Sequence, residues 1–203
     1  MWQVRGASFS GSGFLLPYFL GALSALRSVG AEAMNAERGW RFAGASGGAL
    51  AAMAGACDIP VELLRETISK VNAQLAARPT RAVWALDEVV RTELELLVPD
   101  GDEVAEMMTA RASIAVAFME QVDEQGRRSR MQPHVEMVSE FESRQDVIDA
   151  LAASCYLPGF SAPALTTTFR GRAAFDGGLI AFQPVPGCWR RDEVVKISPR
   201  TRT

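Results

Sequence analysis

Two long stretches without a charged residue constrain this chain more than any other feature: residues 7–26 and residues 42–57 (FAGASGGALAAMAGAC). A membrane span or a secretion signal needs a clean apolar centre. The first stretch instead interleaves Ser8, Ser10 and Ser12 with Gly11 and Gly13 and then meets Pro17, while the second is dominated by Ala and Gly. Neither prefers lipid, so no transmembrane segment is expected. What fits both is a strand, a glycine turn and a helix, with each helix buried inside an α/β protein.

The first unit reads as a strand over Trp2–Phe9, a turn over Ser10–Gly13 and a helix over Phe14–Val29 that stops at Gly30. The second reads as a strand over Arg41–Ala43, a tight turn over Gly44–Gly48 and a helix over Ala49–Cys57. Residues 60–108 are helical and amphipathic: Val83, Leu86, Val90, Leu94 and Leu97 recur at spacings of three and four, with breaks at Pro79 and Pro99. Ala112–Val122 and His134–Phe141 form an expected hairpin, Arg144–Ser154 a helix, and Arg172–Phe175 and Glu193–Ser198 the closing strands. The sum is a three-layer α/β/α sandwich around a mostly parallel sheet, in one domain over residues 1–203.

A net charge of −3 gives no footprint for a nucleic-acid partner, and the basic run Arg127-Arg128-Ser129-Arg130 reads as a solvated turn. Cys57, Cys155 and Cys188 are odd in number and scattered, as expected of free thiols in a reducing, cytoplasmic setting. His134 is the only histidine, so no histidine-rich metal site is expected.

Three glycine-rich turns carry the chemistry. Gly44-Ala45-Ser46-Gly47-Gly48 matches the nucleophile elbow, in which a serine on a sharp strand-to-helix turn needs neighbours without side chains two positions away on either side. The turn lifts the hydroxyl clear of the sheet, and the following helix N-terminus favours developing negative charge. Taken alone, the motif is matched evenly by a plain glycine turn opening a buried helix. Ser10-Gly11-Ser12-Gly13 can aim several backbone N–H groups at an anion. A dinucleotide fingerprint would need glycine at position 16, which is Leu, and a P-loop would need a lysine that residues 6–26 lack. Asp176-Gly177-Gly178 follows a strand and, taken singly, is a surface turn.

In this order the three turns resemble the patatin-like phospholipase family, and within it the branch of adipose triglyceride lipase and adiponutrin. The matching stretches are SFSGSGFLLPYFLGAL, FAGASGGAL, EMVSEFESRQDVIDALAASCYLPGFSAP and RGRAAFDGG, which extend the similarity from about Val4 to about Pro199. The resemblance implies the patatin-type sandwich and a serine lipid acyl hydrolase with no cofactor. Ser46 would attack an ester carbonyl and form an acyl-enzyme, and Asp176 would be its base. Backbone N–H groups of Gly11, Ser12, Gly13 and Gly47 would hold the oxyanion, with Gly44 and Gly48 shaping the elbow and Gly177 and Gly178 the aspartate turn. The partner implied is a lipid ester, met at a membrane or droplet surface without spanning it. Leu16 departs from the family's usual glycine, and LIAFQP after Gly178 from its usual polar continuation; the second bears on the pocket wall rather than on Asp176. The chain ends at Thr203, shortly after the last expected strand.

Competing expectations are a catalytically inactive lipid-binding or regulatory protein on the same fold, a lipid transacylase, and an α/β-hydrolase triad. In that triad the histidine follows the acid along the chain, whereas His134 precedes Asp176, so His134 reads as structural. Phe160, Phe182 and Trp189 lie near expected strand ends, either in the core or as loop side chains offered to lipid.

Overall fold

The computed structural model describes residues 4, 6–30, 40–78, 83–122 and 130–200. Strands β1 (Gly6–Phe9), β2 (Arg41–Ala45), β3 (Ala112–Val122), β4 (Arg130–Val138), β5 (Thr167–Phe169), β6 (Arg172–Asp176) and β7 (Val194–Ile197) form one mixed sheet. It is parallel through β7, β1, β2 and β3, and antiparallel where β3 meets β4 and β6 and where β6 meets β5. Helices α1 (Pro17–Gly30), α2 (Gly47–Ala56), α3 (Val61–Ala76), α4 (Leu86–Leu97), α5 (Glu103–Arg111) and α6 (Arg144–Ser154) pack on both sides, giving the expected three-layer α/β/α sandwich.

Several expected boundaries moved for local reasons. The first helix starts at Pro17, after a 3-10 turn over Gly13–Leu15, because proline fits the first helical position, where its missing N–H costs nothing. Strand β2 runs two residues further than expected, to Ala45, and α2 begins at Gly47, so the turn between them is Ser46 alone. The hairpin is present, with β4 over Arg130–Val138 rather than His134–Phe141. Strand β5 was not expected. The helical stretch divides into α3, α4 and α5, and Val83 precedes α4 and is exposed. The breaks expected at Pro79 and at the basic turn Arg127–Ser129, and the start of the first strand at Trp2, lie outside the described residues.

Helix α2 explains the charge-free second stretch. It is apolar all round and buried along its length, as a helix enclosed by sheet and helices must be. Its C-terminal carbonyls are satisfied by two arginines from elsewhere: Arg27 donates to Ala54 O (3.1 Å) and Arg111 to Ala56 O (2.8 Å). Cations there also complement the helix dipole. Arg144 does the same for α4, donating to Glu95 O (2.5 Å), Val98 O (3.1 Å) and Pro99 O (3.0 Å), which ties α4 to the start of α6. Phe9, Phe19, Phe42, Phe118 and Phe169 are fully buried, each worth roughly 1.5–3 kcal/mol of burial.

The register of β3 positions everything that follows. Ala45 of β2 pairs with Ala115, and Asp176 of β6 pairs with Val116. Strand β4 occupies the other side of β3 over Ile114–Val122, so β2 and β6 share one side. Running in opposite directions, they meet end to end beside Ala115 and Val116.

Candidate active site

Ser46 leaves β2 with φ 55° and ψ −131°, a backbone conformation that costs a non-glycine residue on the order of 1–3 kcal/mol. Two buried hydrogen bonds hold it: Ser46 N–H donates to Ser154 Oγ (3.0 Å), and the Ser154 hydroxyl donates to Ala115 O (2.8 Å). The flanking glycines are required by close approach. A Cβ on Gly44 would fall 2.0 Å from Gly48 O, and a Cβ on Gly48 would fall 2.4 Å from Ser10 O. Any side chain at either position would push the elbow out of place.

Asp176 ends β6 next to this turn. A Cβ on Gly177 would fall 2.1 Å from Ala115 O, and one on Gly178 would fall 3.4 Å from both Ser46 Cβ and Gly11 Cα, so the two glycines let the aspartate turn close against the elbow. The Asp176 side chain is 2% exposed. It accepts from the Gly178 N–H at 2.7 Å, and the nearby Ser46 hydroxyl and Leu179 N–H also favour its charged form. Burial outweighs them and pushes its pKa up to about 6. A base of that strength suits neutral pH far better than a free aspartate near ~3.9.

The Ser10–Gly13 loop closes the other side. A Cβ on Gly47 would lie 2.3 Å from Ser12 Oγ and 3.4 Å from Gly13 O, so the loop and the start of α2 touch. One expected donor is corrected here. Gly11 N–H donates to Phe182 O at 2.7 Å, so Gly11 contributes a backbone without a side chain rather than a hydrogen bond to substrate. Leu16 sits at the turn before α1 and lines the cavity described next. The departing segment after Gly178 is anchored by Gln183, which donates to Ser8 O at 2.9 Å, while Leu179 and Ile180 stay exposed.

An apolar cavity of about 110 Å³ starts at Ser46, Gly47, Gly13 and Phe14 and runs between α3 and α4. Cys155 also lines it, but burial first and Asp176 second push its thiol well above the usual range, leaving no thiolate to rival Ser46.

His134 lies on β4, across β3 from the elbow, opposite Phe118. Its ring pairs with Glu136 (2.9 Å) and Glu120 (3.5 Å) and stacks on Phe118. Glu120, His134 and Glu136 bring ligand-type atoms within 4.8 Å of one another, a grouping the histidine count alone did not anticipate. Arg172 occupies its centre, donating to Glu136 at 2.7 and 2.9 Å and to Glu120, with its guanidinium 3.7 Å over the Phe118 ring. The carboxylate charge is met by that guanidinium, which suits a structural ion cluster better than a metal.

Phe160, Phe182 and Trp189 are half-buried, with Phe182 packed on Gly11 and Trp189 on Gly6, so none of the three leads an exposed apolar surface. Phe14, Leu15, Tyr18, Trp84, Leu165, Leu179 and Ile180 are exposed instead. Two buried polar residues at the site escaped the sequence reading: Ser154 behind the elbow and Glu93 in the cavity wall. Ser154 belongs to the Ser-Cys-Tyr-Leu-Pro-Gly stretch that carried the family resemblance, which was the available signal.

The chain is 30% identical over 183 residues to an omega-hydroxyceramide transacylase of Mus musculus, covering 87% of this chain and 27% of that protein. It is 28% identical over 181 residues to a 1-acylglycerol-3-phosphate O-acyltransferase of Mus musculus, covering 88% of this chain and 40% of that one. The chain thus spans well under half the length of these relatives. VipD from Legionella pneumophila aligns over 97% of this chain and 50% of its own, at 12% identity and a TM-score of 0.46. The patatin-like phospholipase family model matches residues 7–189, and the chain belongs to that family.

Proposed function

We propose that this protein is a serine lipid acyl hydrolase that cleaves carboxylic esters through Ser46 and Asp176. The observation that carries this reading is a serine on a strained elbow, beside a buried carboxylate that has no ion-pair partner among the described residues, at the mouth of an apolar cavity. Asp176 takes the Ser46 proton as Oγ bonds to the ester carbonyl carbon. The tetrahedral oxyanion is held by N–H groups of Ser12, Gly13 and Gly47. The alcohol leaves with the proton from Asp176, and the acyl chain remains on Ser46 in the cavity. Asp176 then deprotonates a water that attacks the acyl-enzyme, the carbonyl–Oγ bond breaks as Asp176 returns that proton to Ser46 Oγ, and the carboxylic acid departs.

A second acceptor is compatible with one specific observation: relatives are named as a transacylase and an acyltransferase. A lipid hydroxyl in place of water would give acyl transfer by the same steps. Substrate is met at a surface. Phe14 lines the cavity and is 62% exposed, and Leu15, Tyr18, Leu179 and Ile180 are exposed beside the two catalytic turns. Among the described residues no helix is long and apolar enough to cross a membrane, so peripheral contact is the mode proposed.

The test is product analysis with purified protein on triacylglycerol and phospholipid vesicles, using Ser46→Ala as the blank. Free fatty acid released only by the unmodified protein supports hydrolysis. Acyl chains found only on an added lipid alcohol would replace hydrolysis by transfer, and identical products from both proteins would refute the Ser46 mechanism.

A further inference from the structure

Glu93 is a carboxylate in the wrong place for a cavity that holds only hydrocarbon. It lies on α4 with 4% of its surface exposed and lines the cavity alongside Val90, Leu94 and Leu97 of the same helix face. Its Oε1 accepts from Gln74 Nε2 at 2.6 Å. Its Oε2 is buried and has no hydrogen-bond partner among the described residues. The Thr67 hydroxyl, also in the wall, is satisfied by donating to Leu63 O at 3.1 Å. Glu93 Oε2 is therefore an acceptor without a donor, and leaving a buried acceptor unpaired is costly.

We infer that the acyl cavity selects a fatty chain bearing a hydroxyl group, which donates its hydrogen bond to Glu93 Oε2. The inference builds on the ester-cleaving reading, in which the acyl carbonyl sits at Ser46 and the chain runs toward α4. A hydroxyl is the donor that matches the surroundings. It is neutral and small, and it sheds its water at far less cost than an ammonium group would in an apolar wall. Sites that hydrogen-bond a substrate hydroxyl discriminate strongly against the chain that lacks it, because the protein group is then left unpaired.

The experiment compares long-chain p-nitrophenyl esters of equal length, unsubstituted, hydroxylated at successive positions, or carrying a terminal amine. For at least one hydroxyl position, kcat/KM should exceed that of the unsubstituted ester by about tenfold or more, as expected of a site that hydrogen-bonds a substrate hydroxyl. Glu93→Leu should abolish that ratio, and Glu93→Gln, which keeps an acceptor, should retain part of it. Calorimetric binding of free hydroxylated and unsubstituted fatty acids to Ser46→Ala gives a readout without turnover. Hydroxyl-selective binding with no ester cleavage would sink the hydrolase reading and uphold this one. Cleavage with no preferred hydroxyl position, a preference that survives Glu93→Leu, or a preference for the amine would overturn it.

Discussion

On the two edges of β3, carboxylates flank the same residue, Val116, and are held in opposite ways. On the β6 edge, Asp176 is buried beside the Ser46 turn, accepts from the Gly178 N–H, and is pushed up to about 6 by burial. Beside Val116 on the β4 edge, Glu136 shares Arg172 with Glu120, and hydrogen bonds from that guanidinium pull it down to about 2. The second group has the sole histidine and more charge, and looks more like a reactive centre in sequence. Its carboxylate is a weak base because a cation holds its charge. The first keeps a stronger base by burying it with no ion-pair partner among the described residues, and the fold bears the cost.

Asp176→Asn is the largest break in that comparison. Loss of the base should lower kcat/KM on a lipid ester by roughly 10²–10⁴, as positioned acid-base groups contribute. The same change should stabilise the protein. A carboxyl whose pKa rises on folding favours the folded state below its ordinary 3.8 and loses that advantage as pH climbs through about 6. Replacing it should therefore raise stability by up to roughly 3 kcal/mol at pH 7, from the 1.36 kcal/mol per pKa unit, and by little at pH 4. Denaturant melts at the two pH values check this, and a variant destabilised at pH 7 would mean that the burial penalty was misjudged.

Ser154→Ala sharpens the same side. It leaves Ser46 N–H and Ala115 O without their shared partner, at about 1–3 kcal/mol for buried groups left unsatisfied. Because the elbow relaxes while the cavity is untouched, kcat should fall more than KM rises. Steady-state kinetics with matched stability data separate this from plain unfolding.

On the other side, Glu136→Gln should cost no more than about 1 kcal/mol, since half-exposed ion pairs are screened. A carboxylate held low by folding stabilises above its ordinary 4.5, and that contribution is lost as pH falls through about 2. The deficit should therefore be seen at pH 7 and vanish toward pH 2, with ester turnover unaffected. The smallest effect belongs to His134→Gln: ester turnover within a few-fold of the unmodified protein.

The sequence revealed the two halves of the site unequally. The elbow was legible because Gly44 and Gly48 are demanded by contacts within a few residues and leave a spacing to read. Asp176 was legible only through the family resemblance, since Asp-Gly-Gly by itself is a turn. Its meeting with Ser46 depends on β2 and β6 sharing one side of β3, a pairing between residues more than a hundred apart. Gly11 was read as a donor because a glycine loop advertises N–H groups, and the carbonyl of Phe182 that takes this one comes from the other end of the chain. Glu93 was passed over in the α4 stripe because a charged residue reads as solvated, although it lies three residues after Val90 and four before Leu97 on the same face. Strand β5, at three residues, is too short to show a period.

The most direct test of the Ser46–Asp176 pairing is the pH dependence of fluorophosphonate labelling, followed by peptide mass spectrometry in the unmodified protein, His134→Gln and Asp176→Asn. Labelling should fall on Ser46 alone and rise to a plateau through about pH 6, where Asp176 loses its proton. The same limb should persist in His134→Gln, and the rate should collapse in Asp176→Asn. Adduct on another serine, a limb that disappears with His134, or undiminished labelling in Asp176→Asn would contradict the mechanism.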